Sequence, residues 1–403
     1  MLRRSDDSQY TPLIPLIPLS FLALVLLVGL VPAGVQAADS EINFGGSLRY
    51  NYFVKSWDGQ EANRDKGGDL ALDTFRIEAD GKYDDLFISA EYRFYNGYQM
   101  VHHGYVGWDY NEKSDVLLGV SQVPFGITPY ASHNWFFDVG YYVGLEDDYD
   151  LGVQHRTRGD NWDLKLAFFK NSEGQGTGNS MSSARYSYDV VSEPMASGGG
   201  TYTRMNEETN QFNARYAYTM DNGDGGSTEI GLSGQYGMLY NHANGETGNH
   251  TAYAAHAVGN YGKWNIMASY MGYKYDAELA EDDPFGTAYT LYGAYDAPYW
   301  IASEGQIGLF NVAYASGWDF GPFESLTFYN DFSTLMKAED GFEDTMQNVL
   351  GFSGAAGPLY CYFDFAMGKN HPWLGGAWTT GLAQGDPDAD WEYRFNMNFG
   401  YYF

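Results

Sequence analysis

The last thirteen residues, 391–403, read Trp-Glu-Tyr-Arg-Phe-Asn-Met-Asn-Phe-Gly-Tyr-Tyr-Phe, and every second position counted back from Phe403 is apolar or aromatic. Trp391, Tyr393, Phe395, Met397, Phe399, Tyr401 and Phe403 fall on one side; Glu392, Arg394, Asn396, Asn398, Gly400 and Tyr402 fall on the other. Successive side chains of a strand point to opposite faces, so a period of two fixes an extended segment with one greasy and one wet face. A soluble sandwich accommodates such a strand only if a second sheet covers the greasy face. Lipid accommodates it with no second sheet.

The amino end bears on that choice. Arg3 and Arg4 precede an apolar run from Leu19 to Val31, and Val35-Gln36-Ala37 supplies a small-x-small pattern, which together read as a secretory signal peptide over residues 1–37, cleaved after Ala37. The run is shorter than the ~20 apolar residues a spanning helix needs, and Pro15 and Pro18 interrupt its extension. Asp6 and Asp7 are untypical of a signal's basic start. No other segment reads as a membrane helix, so residues 38–403 are expected to form one domain. Mean hydropathy is −0.40, too polar for a helical membrane protein, yet the chain carries 36 Tyr, 25 Phe, 10 Trp and 50 Gly. A transmembrane barrel has that profile, because its hydrophobicity is hidden in alternation. The terminal strand, aromatic at both ends, resembles the closing strand of a bacterial outer-membrane β-barrel.

Alternating segments recur at 42–54, 72–83, 86–96, 101–110, 116–123, 149–157, 161–170, 210–220, 228–240, 251–260, 263–275, 306–315, 323–337, 345–353, 359–368 and 391–403. The connections after the even-numbered segments are short and rich in Gly, Asn and Asp, as turns require; the others are longer. That rhythm predicts an all-β, antiparallel, 16-stranded transmembrane barrel with short turns inside and long loops outside. Residues 288–295 also alternate, but counting them breaks the parity, so they are assigned to an outer loop. An 18-strand alternative needs a further strand within 184–191.

One phase of each segment is apolar, for example Phe44, Leu48, Tyr50 and Tyr52, or Ile88, Ala90, Tyr92 and Phe94; these are expected to meet lipid. The alternates include Arg49, Arg76, Glu78, Asp80, Glu91, Arg93, Arg156, Asp163, Lys165 and Arg215, which are costly in hydrocarbon and imply a polar, water-holding interior. Cys361, the single cysteine, can form no internal disulfide and reads as a small apolar filler in the lipid-facing phase. With 22 basic and 52 acidic residues the net charge is −30, which argues against nucleic acid as a partner. Outer-membrane lipid and lipopolysaccharide are the expected surroundings, with divalent cations bridging the two acidic surfaces.

Between the fifth and sixth segments, residues 124–148 form the third outer loop. It contains His133-Asn134-Trp135-Phe136-Phe137-Asp138 and the cluster Glu146-Asp147-Asp148. So aromatic a loop is not stable in water, so it is expected to fold into the lumen and narrow it. The run Leu118-Gly119-Val120-Ser121-Gln122-Val123-Pro124-Phe125-Gly126 and the later Val143-Gly144-Leu145-Glu146-Asp147-Asp148-Tyr149-Asp150-Leu151-Gly152 resemble porins of the phosphate-selective O and P type and their wider relatives. That resemblance implies a homotrimeric, 16-stranded outer-membrane channel whose third loop enters the lumen. Phosphate selectivity in that family rests on rows of Arg and Lys, and no lysine ladder maps onto this chain.

The sequence therefore predicts passive diffusion of small hydrophilic solutes and ions through a constriction, with cation preference following from the acidic balance. Asp138, Glu146, Asp147 and Asp148 are expected on the loop, with Arg49, Arg76, Arg93 and Arg156 opposite. An anion- or phosphate-selective porin, an adhesin and an outer-membrane enzyme are the competing readings. No Ser/His pairing stands out by spacing, as an acyl-transfer enzyme requires. His102 and His103 are neighbours in a strand, which sends them to opposite faces and argues against a shared metal ion, so no metal or cofactor is expected.

Overall fold

The computed structural model describes residues 41–403; the segment read as a signal peptide lies outside the described residues. Twenty-one strands follow in chain order. The first seven are β1 (Glu41–Lys55), β2 (Asp69–Tyr83), β3 (Leu86–Phe94), β4 (Gln99–Asn111), β5 (Ser114–Gln122), β6 (Tyr149–Arg158) and β7 (Trp162–Ser172). Three short strands follow, β8 (Asp189–Val190), β9 (Glu193–Ser197) and β10 (Gly200–Arg204). Then come β11 (Asn206–Gly223), β12 (Gly226–Asn241), β13 (Thr247–Tyr261), β14 (Trp264–Asp276), β15 (Tyr289–Ala294) and β16 (Ala297–Ala302). The last are β17 (Glu304–Ala315), β18 (Glu324–Lys337), β19 (Thr345–Ala356), β20 (Leu359–Lys369) and β21 (Glu392–Tyr402).

Sixteen of these close a barrel, in the order β1 to β7, β11 to β14 and β17 to β21, every neighbour antiparallel. Closure is made by the terminal strand, which pairs with β1 from Ser47↔Tyr402 to Lys55↔Arg394. Each of the sixteen predicted segments lies on its own barrel strand. The alternation at 288–295 is a real strand, β15, but it pairs with β16 and β8 in a separate three-stranded sheet. The count therefore stays at sixteen, and the 184–191 alternative contributes only the two residues of β8 to that sheet.

Every barrel strand exposes a large apolar side chain, from Phe44 on β1 through Leu166 on β7 and Phe310 on β17 to Tyr401 on β21. So continuous an apolar surface is stable only against hydrocarbon, and closure removes the sheet edges that lipid cannot satisfy. Cys361 is buried in the outward phase, opposite Gly354 and Phe399, where its small size lets larger neighbours cover it.

The inner face has two unlike halves. On β1 to β3 and β21 it carries Arg49, Arg76, Glu91, Arg93 and Arg394. On β12 to β14, β17 and β18 it carries Leu239, Ala252, Met271, Ile307 and Leu335, packed in one cluster with Val123, Phe125, Val139, Val143 and Leu145 of the third outer loop. The uniformly polar lumen expected from the sequence is thus corrected over the second half. Those inner positions are covered by protein instead of water, and each fully buried Leu, Ile or Met there contributes about 1.5–3 kcal/mol.

Candidate channel constriction

Residues 123–148 leave β5 and return to β6 through a closed base, where the Val123 N–H donates to the Asp148 carbonyl at 2.8 Å. From there the loop crosses the lumen and is held on the far wall. The Gly126 N–H donates to Ser233 Oγ at 3.0 Å, and its carbonyl accepts from Arg215 Nε at 2.8 Å. At the tip, Asp331 accepts from the His133 N–H, His133 Nδ1 and Asn134 Nδ2, each at 2.7 Å. The Val139 N–H donates to Ser333 Oγ at 3.0 Å, and Gln347 Nε2 donates to the Phe137 carbonyl at 2.8 Å. The 3-10 turn Tyr141–Val143 ends at Gly144, whose φ is +70°; a Cβ there would meet the Tyr188 carbonyl at 2.3 Å, so only glycine fits.

The space left open is a cavity of about 510 Å³ between this loop and the wall of β1 to β4 and β21. Arg49, Arg76, Arg93 and Arg394 border it on the wall side. Arg49 Nη2 lies 2.7 Å from Asp73, Arg76 Nη1 lies 3.7 Å from Glu91, and Arg93 pairs with Glu91 directly. Among the described residues no carboxylate lies at bonding distance from Arg394; its guanidinium sits over Phe53 at 4.6 Å and over Phe136 at 5.2 Å. Tyr130, Trp135 and Tyr141 face them from the loop, joined by Tyr186 from residues 173–205 and Tyr295 from residues 277–303. The Arg93 guanidinium lies 4.4 Å from the Tyr186 ring centre. One side of the opening is therefore basic and the other aromatic.

The predicted site residues divide between this cavity and three other places. Arg49, Arg76, Arg93 and Asp147 all line it. Asp147 accepts from Tyr186 Oη at 2.6 Å and from Gln122 Nε2 at 3.1 Å, and burial pushes its carboxyl up to about 6. Asp138 and Glu146 turn back into the loop: Asp138 Oδ1 accepts from the Gly140 N–H at 2.5 Å and Glu146 Oε1 from the Ala131 N–H at 2.6 Å. Burial raises both carboxyls, and Asp138 raises that of Glu146 further. Asp148 is buried near Asp150 and Asp189. Arg156 pairs with Asp115 at 2.6 Å and lines a separate recess of about 190 Å³ with Gln122, Thr128 and Lys165. Sequence reasoning had Arg394 on the wet face of the terminal strand but left it out of the constriction; the tyrosines of the two other loops it missed, and their only signal was aromatic content.

His102 and His103 do not obey the alternation. A bulge in β4 opposite Glu91 and Tyr92 brings the two rings together, with their Nδ1 atoms 2.8 Å apart and His102 Nδ1 3.8 Å from Glu91. The argument that neighbouring strand residues cannot share a ligand fails at this position.

No family model matches the sequence, and no curated protein matches it. Solved structures do. The outer membrane channel DcaP of Acinetobacter baumannii is similar over 91% of this chain and 99% of its own, at 12% identity and a TM-score of 0.58. An anion-selective porin from Comamonas acidovorans is similar over 91% of this chain and 100% of its own, at 13% identity and a TM-score of 0.55. The trimer form of OmpT, an outer membrane protein of Vibrio cholerae, shows the same coverage, identity and score. The chain has the fold of a bacterial outer-membrane barrel. Within that fold, sixteen strands close around a loop packed on the inner wall.

Proposed function

We propose that this protein is a passive diffusion channel for small hydrophilic solutes and ions, and that its constriction favours small anions. The observation that carries this reading is the placement of charge around the opening. Arg49, Arg76, Arg93 and Arg394 border it, against Asp73, Glu91 and Asp147, while Asp138, Glu146 and Asp148 are turned away. An ion responds to the charges at the narrowest point, where displaced water no longer screens them, more than to the mean charge of the chain. Diffusion through such a pore needs no energy source. The wall holds no row of lysines, so the reading stops at small anions as a class and does not extend to the phosphate specificity of the O and P type.

Cation preference is the second reading, supported by the excess of 52 acidic over 22 basic residues. The reversal potential of the purified protein in a planar bilayer under a KCl gradient separates the two. Chloride preference is the expected sign, and potassium preference would remove the arginine wall from the mechanism. Absence of any conductance would leave an adhesin or another non-channel barrel. The homotrimer belongs to the same reading and is checked by crosslinking in detergent, where a ladder ending at three copies is expected.

A further inference from the structure

A second cluster of charge lies outside the opening. Asp148 at the end of the lumenal loop, Asp150 two residues on in β6, and Asp189 in β8 each bring a carboxylate oxygen within 4.8 Å of the others. Their relative exposures are 7%, 2% and 2%. Glu173 and Glu208, also buried, stand next to them, and Arg185 is the cation bound there, 3.1 Å from Asp189 and 3.8 Å from Glu173. Gln211 Nε2 donates to Asp150 Oδ2 at 2.8 Å, and Glu208 accepts from the Val190 N–H at 3.4 Å. Among the described residues, that leaves Asp148 Oδ1 and Asp150 Oδ1 buried with no hydrogen-bond donor.

Five buried carboxylates around one guanidinium are unstable as anions, because the few donors present replace only part of their hydration. Two things can compensate: protons shared between the acids, or a cation. The donor set favours the cation. It is all oxygen, several carboxylates converge, and two oxygens are free to coordinate. Calcium takes six to eight such ligands flexibly, whereas magnesium retains several of its waters, for which a buried site has little room.

We propose that Asp148, Asp150 and Asp189 hold a buried Ca²⁺ ion that clamps the lumenal loop to the loop sheet above it. The three ligands belong to separate pieces of the structure. Asp148 ends residues 123–148, Asp150 opens a barrel strand, and Asp189 pairs through β8 with Gly293 of β15. One ion bridging them fixes the loop at its return to the wall, the end opposite the Asp331 anchor. This goes beyond the channel reading and does not depend on it, since the clamp would order the loop in any barrel of this architecture.

Terbium, a calcium substitute whose emission is sensitised by nearby tyrosine, tests the site in the intact protein, because Tyr149 lies between two of the ligands. In high salt with excess Mg²⁺, which suppresses binding to the acidic surface, one Tb³⁺ per chain should give sensitised emission that Ca²⁺ displaces. Asp148→Asn with Asp150→Asn should lower that emission at least tenfold. Ca²⁺ should also raise the melting temperature over EDTA in the natural protein and leave the double variant unmoved. No Ca²⁺-displaceable emission, or the same emission in the variant, overturns the site and leaves a proton-sharing cluster. Should the double variant fail to fold, Asp189→Asn, which removes the ligand from the opposite side, must weaken Ca²⁺ displacement tenfold or the proposal falls.

Discussion

The two halves of the inner wall are built on the same barrel and the same alternation, yet their inward side chains have opposite roles. On β12 and β17 to β19 they are spent on protein: Ile307 and Leu335 pack the loop, Asp331 and Gln347 bind its backbone, and Ser233 caps Gly126. On β1 to β3 and β21 the arginines face the opening. The difference is made by the course of one loop. A charge anywhere on the inner phase is admissible in a barrel of this width, but it can act on a solute only where the loop leaves the wall bare.

The largest effect is expected from breaking the covered half. Asp331 is 3% exposed and takes three donors from the loop tip, so Asp331→Ala leaves the His133 N–H, its half-buried imidazole Nδ1 and the buried Asn134 amide without this acceptor. At about 1–3 kcal/mol for each unsatisfied group, roughly 3 kcal/mol of stability should be lost, with a lower melting temperature. Single-channel records should turn noisy as the loop detaches. Quiet records at an unchanged melting temperature would mean that the wall does not hold the loop.

Next comes the same charge change made on each half. Arg76→Gln with Arg93→Gln should lower the chloride-to-potassium permeability ratio by roughly fivefold, about 1 kcal/mol in relative barrier. Arg215→Gln removes a guanidinium held by Asp163 at 2.6 Å, Glu229 at 2.7 Å and the Gly126 carbonyl. It should leave the ratio unchanged while lowering stability. Equal shifts from the two substitutions would erase the distinction between bare and covered walls.

These contrasts also mark how far the sequence could be read. All sixteen barrel strands are visible in it because one face of each meets lipid, and a period of two in that setting has no competing explanation. The place of the third loop followed from parity. The directions of Asp138, Glu146 and Asp148 did not, because their neighbours are turn N–H groups of their own loop or acids brought up by β8, and neither leaves a mark on spacing. Asp331 meets His133 across 198 residues of chain. The bulge at His102 inserts one residue into the alternation of β4, and β15 alternates as well as any barrel strand while belonging to a different sheet. Single-chain pattern gives the phase of a strand; it does not give the partner of a buried side chain.

A smaller effect should follow from trimming the aromatic side of the opening. Trp135 stands 5.4 Å from the Arg394 guanidinium and lines the cavity. Trp135→Ala should raise single-channel conductance by roughly half and leave the ion preference where it is, since no charge is altered. A changed preference with unchanged conductance would show that the ring acts on Arg394 instead of on the width.

The smallest effect isolates the one loop carboxylate that reaches the opening. Asp147 is held by Tyr186 and Gln122, with Arg93 and Arg76 facing it from the wall and Tyr130 and Tyr149 beside it, and burial outweighs those partners, pushing its carboxyl up to about 6. A carboxyl raised this way is neutral below about pH 6 and anionic above. Lowering the pH through 6 therefore removes a negative charge from the constriction, and chloride preference should rise, by about twofold once water and salt have screened a single charge. Asp147→Asn should hold the higher preference at every pH and flatten the profile. Glu146→Gln should leave the profile intact, because that side chain bonds the Ala131 N–H behind the loop. A profile that survives Asp147→Asn would remove the Asp147 carboxyl from the constriction.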